Sequence, residues 1–280
     1  MSFDPYAPYG PVVDTTLRVV TWNVWGRFGE WEQRQEGIEA ALEAAQPDVV
    51  CLVEAWQNRD GPDNQAERVA RRLGFEHHQF AGGWEVDDWT SGLAVVSRWP
   101  ILSSGDRDLP NRDGTGNAGS ALFTAIDGPR GTIQLFTIVL DYPLDGSATR
   151  QTQVHGLAKF IGEVTSGRYP TIVCGDFNAN PDSDEIRMLT GKSETASPGL
   201  VFYDAWEIAG DGTPGITWSN NNPLAAIGLY PDRRFDYVLS AWPRLNGVGH
   251  PVQAKLLGVT KKPTDLQLSD HYGVVADLRY

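Results

Sequence analysis

Basic residues are scarce in this chain. Lys and Arg number 23 against 36 Asp and Glu, a formal net charge of −13, and the densest basic pairs are Arg71-Arg72, Arg233-Arg234 and Lys261-Lys262. Tight binding of a polyanion without regard to its sequence needs clustered Lys and Arg, so no long nucleic acid is expected as partner. There are only two cysteines, Cys51 in "VVCLVE" and Cys174 in "TIVCGD", each inside an apolar run; this excludes a disulfide framework and predicts two buried thiols. No run approaches the roughly 20 apolar residues of a membrane span. The opening "MSFDPYAPYGPVVD" lacks the charged start and apolar centre of a signal peptide. These absences predict a soluble, cytoplasmic protein, read as a monomer acting on a small molecule or a lipid headgroup.

What is present is a chain of 280 residues with strand and helix patterns in mixed order. Residues 1–16 read as an extended lead-in and 17–280 as a single domain. Short apolar runs predict strands at "LRVVTWNVW", "DVVCLVEAW", "SGLAVVSRWPI", "TIVCGD", "FDYVLS", "AKLLGV" and "YGVVADL", with a hairpin turning at "DGPRG". Apolar residues at helical spacing mark three helices: Ile38, Ala41, Leu42 and Ala45; Ala66, Val69, Ala70 and Leu73; Val154, Leu157, Ala158 and Ile161. Pro47 ends the first and Gly74 caps the second. Strands outnumber helices, and hairpins mix with strand–helix–strand units. The fold class expected is α/β: a four-layer sandwich of two face-to-face, mostly antiparallel sheets with helices outside. The Gly- and Asn-rich stretches 103–120 and 209–223 read as loops inserted at the rim.

Several apolar strands end in a polar group. Asn23 closes "RVVTWN", Glu54 closes "VVCLVE", Asp176 and Asn178 follow "TIVCG", Asp236 sits in "RRFDYVL", and Asp270 and His271 sit in "LSDHYGV". A single case is a turn residue. Five strands ending this way point to one site, because a buried ion must be paired or must ligate a metal. Oxygen donors with one imidazole suit Mg²⁺ or Mn²⁺, whereas zinc would want more His or Cys. Asp270 and His271 cannot both face inward from a straight strand, so a turn or bulge is expected there. Asp236 is a candidate partner to fix the tautomer of His271.

The segments "TWNVW", "LVEAW", "SGLAVVSRWPI", "CGDFNANP", "RRFDYVL" and "LSDHYGVV" occur in the order seen in the endonuclease/exonuclease/phosphatase superfamily, which the chain resembles over roughly residues 17–280. The resemblance implies that Glu54 holds a divalent metal with Asn23 beside it and that Asp270 completes the metal or water network. It further implies that Asp176 activates the attacking water, that Asn178 contacts the phosphate, and that His271, oriented by Asp236, stabilises charge on the phosphoryl oxygens. Phosphoryl transfer needs little covalent help and much positioning and charge neutralisation.

One position departs from the pattern. Many relatives carry a Thr-His-Leu-Asp type segment before the long helix, and its His touches the phosphate; here "FTIVLDYP" puts Val139 at that place. Apurinic endonucleases also lack this His and supply a Tyr from a nearby loop, but no obvious substitute is visible in this sequence. Three readings stay open: a metal-dependent phosphoester hydrolase, an enzyme turned to non-hydrolytic chemistry such as elimination or cyclisation on a phosphorylated or diphosphate substrate, and a weakly active ligand-binding scaffold. Arg150 at a helix start, Val139, and Asn222 in "TWSNNNP" are the candidate substrate contacts. Trp84 and Trp89 in "GGWEVDDWT" either line a pocket or pack at its rim.

Overall fold

The structure is a computed structural model that describes residues 4–111, 117–165, 169–242, 244–260 and 265–280. The first half of the chain forms β1 (Thr16–Asn23), β2 (Val49–Asn58), β3 (His77–Val86), β4 (Trp89–Ser97), β5 (Ile101–Pro110) and β6 (Asn117–Gly128). The second half adds β7 (Gly131–Val139), β8 (Ile172–Asp176), β9 (Phe202–Asp204), β10 (Asp236–Ala241), β11 (Pro251–Leu257) and β12 (Gly273–Arg279). Two six-stranded sheets result, ordered β11-β12-β1-β2-β4-β3 and β5-β6-β7-β8-β10-β9. Each contains one parallel pair, β1 with β2 and β7 with β8, and is otherwise antiparallel.

The helices follow from those parallel pairs, since a parallel neighbour needs a crossover. Helix α1 (Trp31–Ala45) links β1 to β2, and α2 (Gln65–Leu73) packs beside it. Helix α3 (Ser147–Val164) links β7 to β8 and is followed by α4 (Asp184–Thr190), α5 (Ala205–Ala209) and α6 (Pro223–Ala226). Gln46 and Gly74 cap α1 and α2 in the left-handed conformation, with φ of 50° and 70°. Asn64 accepts the Glu67 N–H at the start of α2.

Successive residues of the central strands go to different cores. Val19 joins Leu17, Val49, Cys51, Leu135, Cys174 and Val238 between the two sheets. Val20 turns outward onto Ile38, Leu42, Ala66 and Val69 of α1 and α2. On the other side Phe136, Ile138 and Val173 pack on Val154, Leu157, Phe160 and Ile161 of α3. Strands buried on both faces read as continuous apolar runs, which is why the sequence shows them so clearly. The layers are therefore helix, sheet, sheet, helix, as expected.

The expected loop 103–120 is corrected. Most of its described part is β5 and the start of β6, paired from Ile101 to Ile126 through Pro110 to Asn117. β5 is an edge strand with a largely exposed face, so its Ser-Ser-Gly-Asp-Arg-Asp run carries no apolar alternation. β3, where the sequence reads His77 and His78 as lying along a strand, is the edge strand next to β4, with half of its residues exposed.

Candidate active site

The site lies where one edge of each sheet delivers its polar residues. In the second sheet Ser120, Val139, Asp176 and Asp236 are successive register partners on β6, β7, β8 and β10. Directly paired residues project from the same face, so the four form one row. Gly175 makes the row possible: its φ is 139°, and a Cβ there would overlap the Ile138 carbonyl oxygen of β7. In the first sheet Asn23 ends β1, and Glu54 sits at a bulge in β2 between Val53 and Ala55. Bulges re-aim a side chain. Glu54, Trp25 and Asn178 all have positive φ, at 54°, 55° and 49°, and such left-handed non-glycine residues concentrate at functional sites. Asp270 and His271 stand at a bend just before β12, and both reach the same cleft.

Hydrogen bonds tie the two sheets together here. Asn23 Nδ2 donates to Glu54 Oε1 at 3.0 Å and to Asp176 Oδ2 at 3.1 Å, while its Oδ1 accepts the Trp25 N–H. Asn23 thus bridges two carboxylates. Asp176 Oδ1 accepts the Asn178 N–H, and Asn178 spends one amide hydrogen on Leu140 O at 2.9 Å. His271 Nδ1 is 2.8 Å from Asp236 Oδ2, and its Nε2 is 3.8 Å from Asp176 Oδ2. The Trp218 ring meets the His271 ring edge-on at 5.0 Å. Ser269 Oγ donates to Asn23 O at 2.7 Å and accepts the His271 N–H. Thr217 Oγ1 accepts the Phe235 and Asp236 N–H groups.

The electrostatics are one-sided. Glu54, Asp176, Asp236 and Asp270 meet a single imidazole, and no Lys or Arg lines the cleft among the described residues. Burial raises the Glu54 carboxyl above its usual range. It also raises Asp176 to about 7, opposed by His271 and assisted by Asp236, and raises Asp270 to about 6. For His271 burial acts downward, but the Asp236, Asp176 and Asp270 carboxylates outweigh it and hold the imidazolium well above the ordinary range. Asp236 Oδ1 is buried without a hydrogen-bond partner. Oxygen donors in excess of positive charge fit a hard divalent cation. Asp176, Asp236 and His271 also offer one ligand atom each within 4.8 Å of one another. Since His271 Nδ1 is committed to Asp236, these three are better suited to proton handling, and Glu54 with Asp270 to a cation.

The cleft has a volume of about 710 Å³. Acidic groups and Asn178 line it together with Trp25, Trp84, Tyr142, Trp218, Tyr230 and Phe235. Val139 lines it too, at 8% exposure. Two expected substrate contacts do not face the cleft. The Arg150 guanidinium is buried, with Nε 2.5 Å from Glu185 Oε1 and Nη1 on Asp141 O and Pro143 O; it braces the segment after β7. Asn222 is buried, donates to Ser269 O at 2.7 Å and caps α6; it supports the Asp270–His271 bend. Of the two tryptophans, Trp84 lines the cleft while Trp89 packs on Phe28. Sequence reasoning missed Tyr142, which lines the cleft three residues beyond Val139; its "LDYP" context gave the signal. It also missed Ser120, whose place in the row only strand register reveals. Arg34 was missed as well: its guanidinium donates to the carbonyls of Val24, Trp25, Gly26, Phe28 and Leu268, fixing the loop that carries Trp25.

Comparison with known proteins agrees with this fold. Nocturnin of Xenopus laevis is 24% identical over 298 residues, 95% of this chain and 73% of that protein. D. rerio TDP2 complexed with single strand DNA product superposes with a TM-score of 0.72 at 20% identity, covering 95% of this chain and all of that one. The human Nocturnin catalytic domain with bound sulfate anion superposes with a TM-score of 0.68 at 22% identity, covering 94% of each chain. The Endonuclease/Exonuclease/phosphatase family model matches residues 20–271. With that match spanning most of its length, the chain belongs to the endonuclease/exonuclease/phosphatase family.

Proposed function

We propose that this chain is a divalent-metal-dependent hydrolase of a phosphoester in a small molecule or lipid headgroup. The observation that carries the reading is the placement of buried Asp176 beside buried His271, with Nε2 3.8 Å from Oδ2. Asp176, with a pKa of about 7, is matched to accept a proton from water near neutrality. His271, oriented through Nδ1 by Asp236, presents Nε2–H to a phosphoryl oxygen whose charge grows in the transition state. The second amide hydrogen of Asn178 is left for the same phosphate. Glu54 and Asp270 would hold Mg²⁺ or Mn²⁺, with Asn23 fixing Glu54. Bound there, the cation supplies charge neutralisation at the phosphoryl group.

Tyr142, three residues beyond Val139, also lines the cleft. The absence of Lys and Arg from the described lining sets the site against long polyanions, although one structural relative was captured with a DNA product. The test is product analysis with Mg²⁺ or a chelator, offering a phosphodiester, a phosphomonoester and a prenyl diphosphate. Metal-dependent hydrolysis is the expected result, giving an alcohol with a phosphomonoester from the phosphodiester, or with phosphate from the monoester. Rearranged or eliminated product from the diphosphate, without ester hydrolysis, would instead establish the non-hydrolytic alternative.

A further inference from the structure

Residues 140–143 follow β7, and Leu140, Asp141 and Tyr142 line the cleft. Their backbone is tied almost throughout. The Leu140 N–H donates to Asp176 O, and Leu140 O accepts from Asn178 Nδ2 at 2.9 Å. The Asp141 N–H donates to Gln153 Oε1 at 2.9 Å. Asp141 O and Pro143 O, on either side of Tyr142, both accept from Arg150 Nη1, at 3.1 and 2.7 Å. Pro143 O also accepts the Gly146 N–H at 2.9 Å. Pro143 restricts the Tyr142 backbone further, because a proline ring excludes the helical region from the residue before it.

The guanidinium that grips this segment is itself fixed. Its Nε is 2.5 Å from Glu185 Oε1, and Ser147 Oγ donates to Glu185 Oε2 at 2.7 Å. The Arg150 and Glu185 side chains are 4% and 0% exposed. A buried ion pair adds little stability of its own, since desolvation offsets the attraction. What this pair achieves is a fixed backbone on both sides of Tyr142, which is 69% exposed.

A solvated surface tyrosine requires no such support. An aromatic side chain on a rigid backbone gives up only its own torsions when a ligand covers it, so it binds a flat group at low entropic cost. The rest of the lining narrows that group. Trp25, Trp84, Trp218 and Tyr230 are aromatic, Asp108 and Asp141 are acidic, and no Lys or Arg is present among the described residues of the lining. A second anionic group on the substrate would find no cation there, whereas a neutral ring finds aromatic faces. We propose that Tyr142 contacts the organic part of the substrate and selects an ester whose single phosphate carries an uncharged ring, and that Arg150 is its positioning residue, acting through the carbonyls of Asp141 and Pro143. That the ring belongs to a substrate rests on the phosphoesterase reading; that the cleft binds one does not.

Calorimetry with Mg²⁺ and two non-hydrolysable probes tests this. Phenylphosphonate and methylphosphonate share the anionic group and differ by the ring. Wild type is expected to bind phenylphosphonate about 10-fold more tightly. Tyr142→Ala is expected to cut that preference to about 2-fold, and Tyr142→Phe to keep it. Arg150→Lys keeps a cation against Glu185 without the second arm that reaches the two carbonyls. It is expected to lower the preference toward that of Tyr142→Ala, and to lower it no further in Tyr142→Ala/Arg150→Lys. A merely structural role would weaken both phosphonates alike and leave their ratio unchanged. If Arg150→Lys does not fold, Gln153→Leu, which removes the acceptor of the Asp141 N–H, is read in its place. Equal binding, or no binding, of the two phosphonates by wild type would overturn the proposal. So would an undiminished preference in Tyr142→Ala, an unchanged ratio in the positioning variant, or a further fall in the double variant. Equal binding by a protein that turns over phosphoesters would remove this proposal alone. A ring preference in a protein inactive on every phosphoester would defeat the proposed function and leave Tyr142 as a ligand contact.

Discussion

Val139→His restores an imidazole at the position where many relatives carry one. Val139 pairs in register with Asp176 on one side and Ser120 on the other, so a side chain there points into the same cleft as the proton acceptor. One hydrogen bond to a developing phosphoryl charge in a dry site is worth about 3–4 kcal/mol, or 10²–10³ in rate. The gain expected here is at the modest end, about 10-fold in kcat for bis(p-nitrophenyl) phosphate. There is an opposing cost. Val139 is 8% exposed and belongs to the core between the sheets, and a larger polar ring there destabilises by about 1–3 kcal/mol. The thermal midpoint should therefore fall by a few degrees while the rate rises. Steady-state kinetics with Mg²⁺ and a melting curve on the same preparation read both. A folded variant with an unchanged or lower rate would refute the reasoning that this wall lacks a useful donor.

Glu54→Gln should weaken Mg²⁺ binding by calorimetry and remove most activity with the fold intact; unchanged affinity would move the cation elsewhere. Mg²⁺ affinity should rise more than about 10-fold from pH 6 to pH 8 and level off above, because bound cation displaces protons from Asp270 and Asp176, whose pKa values are about 6 and 7. The same shifts set the metal-free stability. Both carboxyls ordinarily titrate near 3.8, so the folded protein holds these protons more tightly than the unfolded chain. The two groups therefore contribute stability that is lost as pH rises from about 4 through 7. A flat Mg²⁺ affinity over that window would exclude both groups as its neighbours. Gly175→Ala should cost about 3 kcal/mol or more in denaturant melts, since the new Cβ overlaps Ile138 O at a φ of 139°; a neutral result would mean that the strands part easily at this point.

The sequence displays the central strands because they are buried on both faces, and it displays the floor of the cleft because polar residues at the ends of apolar runs stand out. Glu54, Asp176, Asp236, Asp270 and His271 all lie together as their placement at strand ends suggested. Edge strand β5 is obscured by its exposed face. Arg150 and Asn222 misled because a polar residue at a helix start looks the same whether it faces a ligand or braces a loop, and burial alone separates the two. Ser120 and Arg34 could not be read at all: one depends on cross-strand register, the other on five carbonyls that converge only after folding.

The account rests on Asp176 taking a proton from water beside a metal-bound phosphate. The most direct measurement is the rate of phosphodiester hydrolysis by wild type and by Asp176→Asn, each with Mg²⁺ and with chelator, on protein whose Mg²⁺ binding is checked by calorimetry. The account predicts hydrolysis by wild type with Mg²⁺, its loss in chelator, and a fall of about 10²-fold or more in the variant, in the range set by loss of a positioned general base, with the cation still bound. Hydrolysis by Asp176→Asn at the wild-type rate, or wild-type hydrolysis undiminished by chelator, would contradict it.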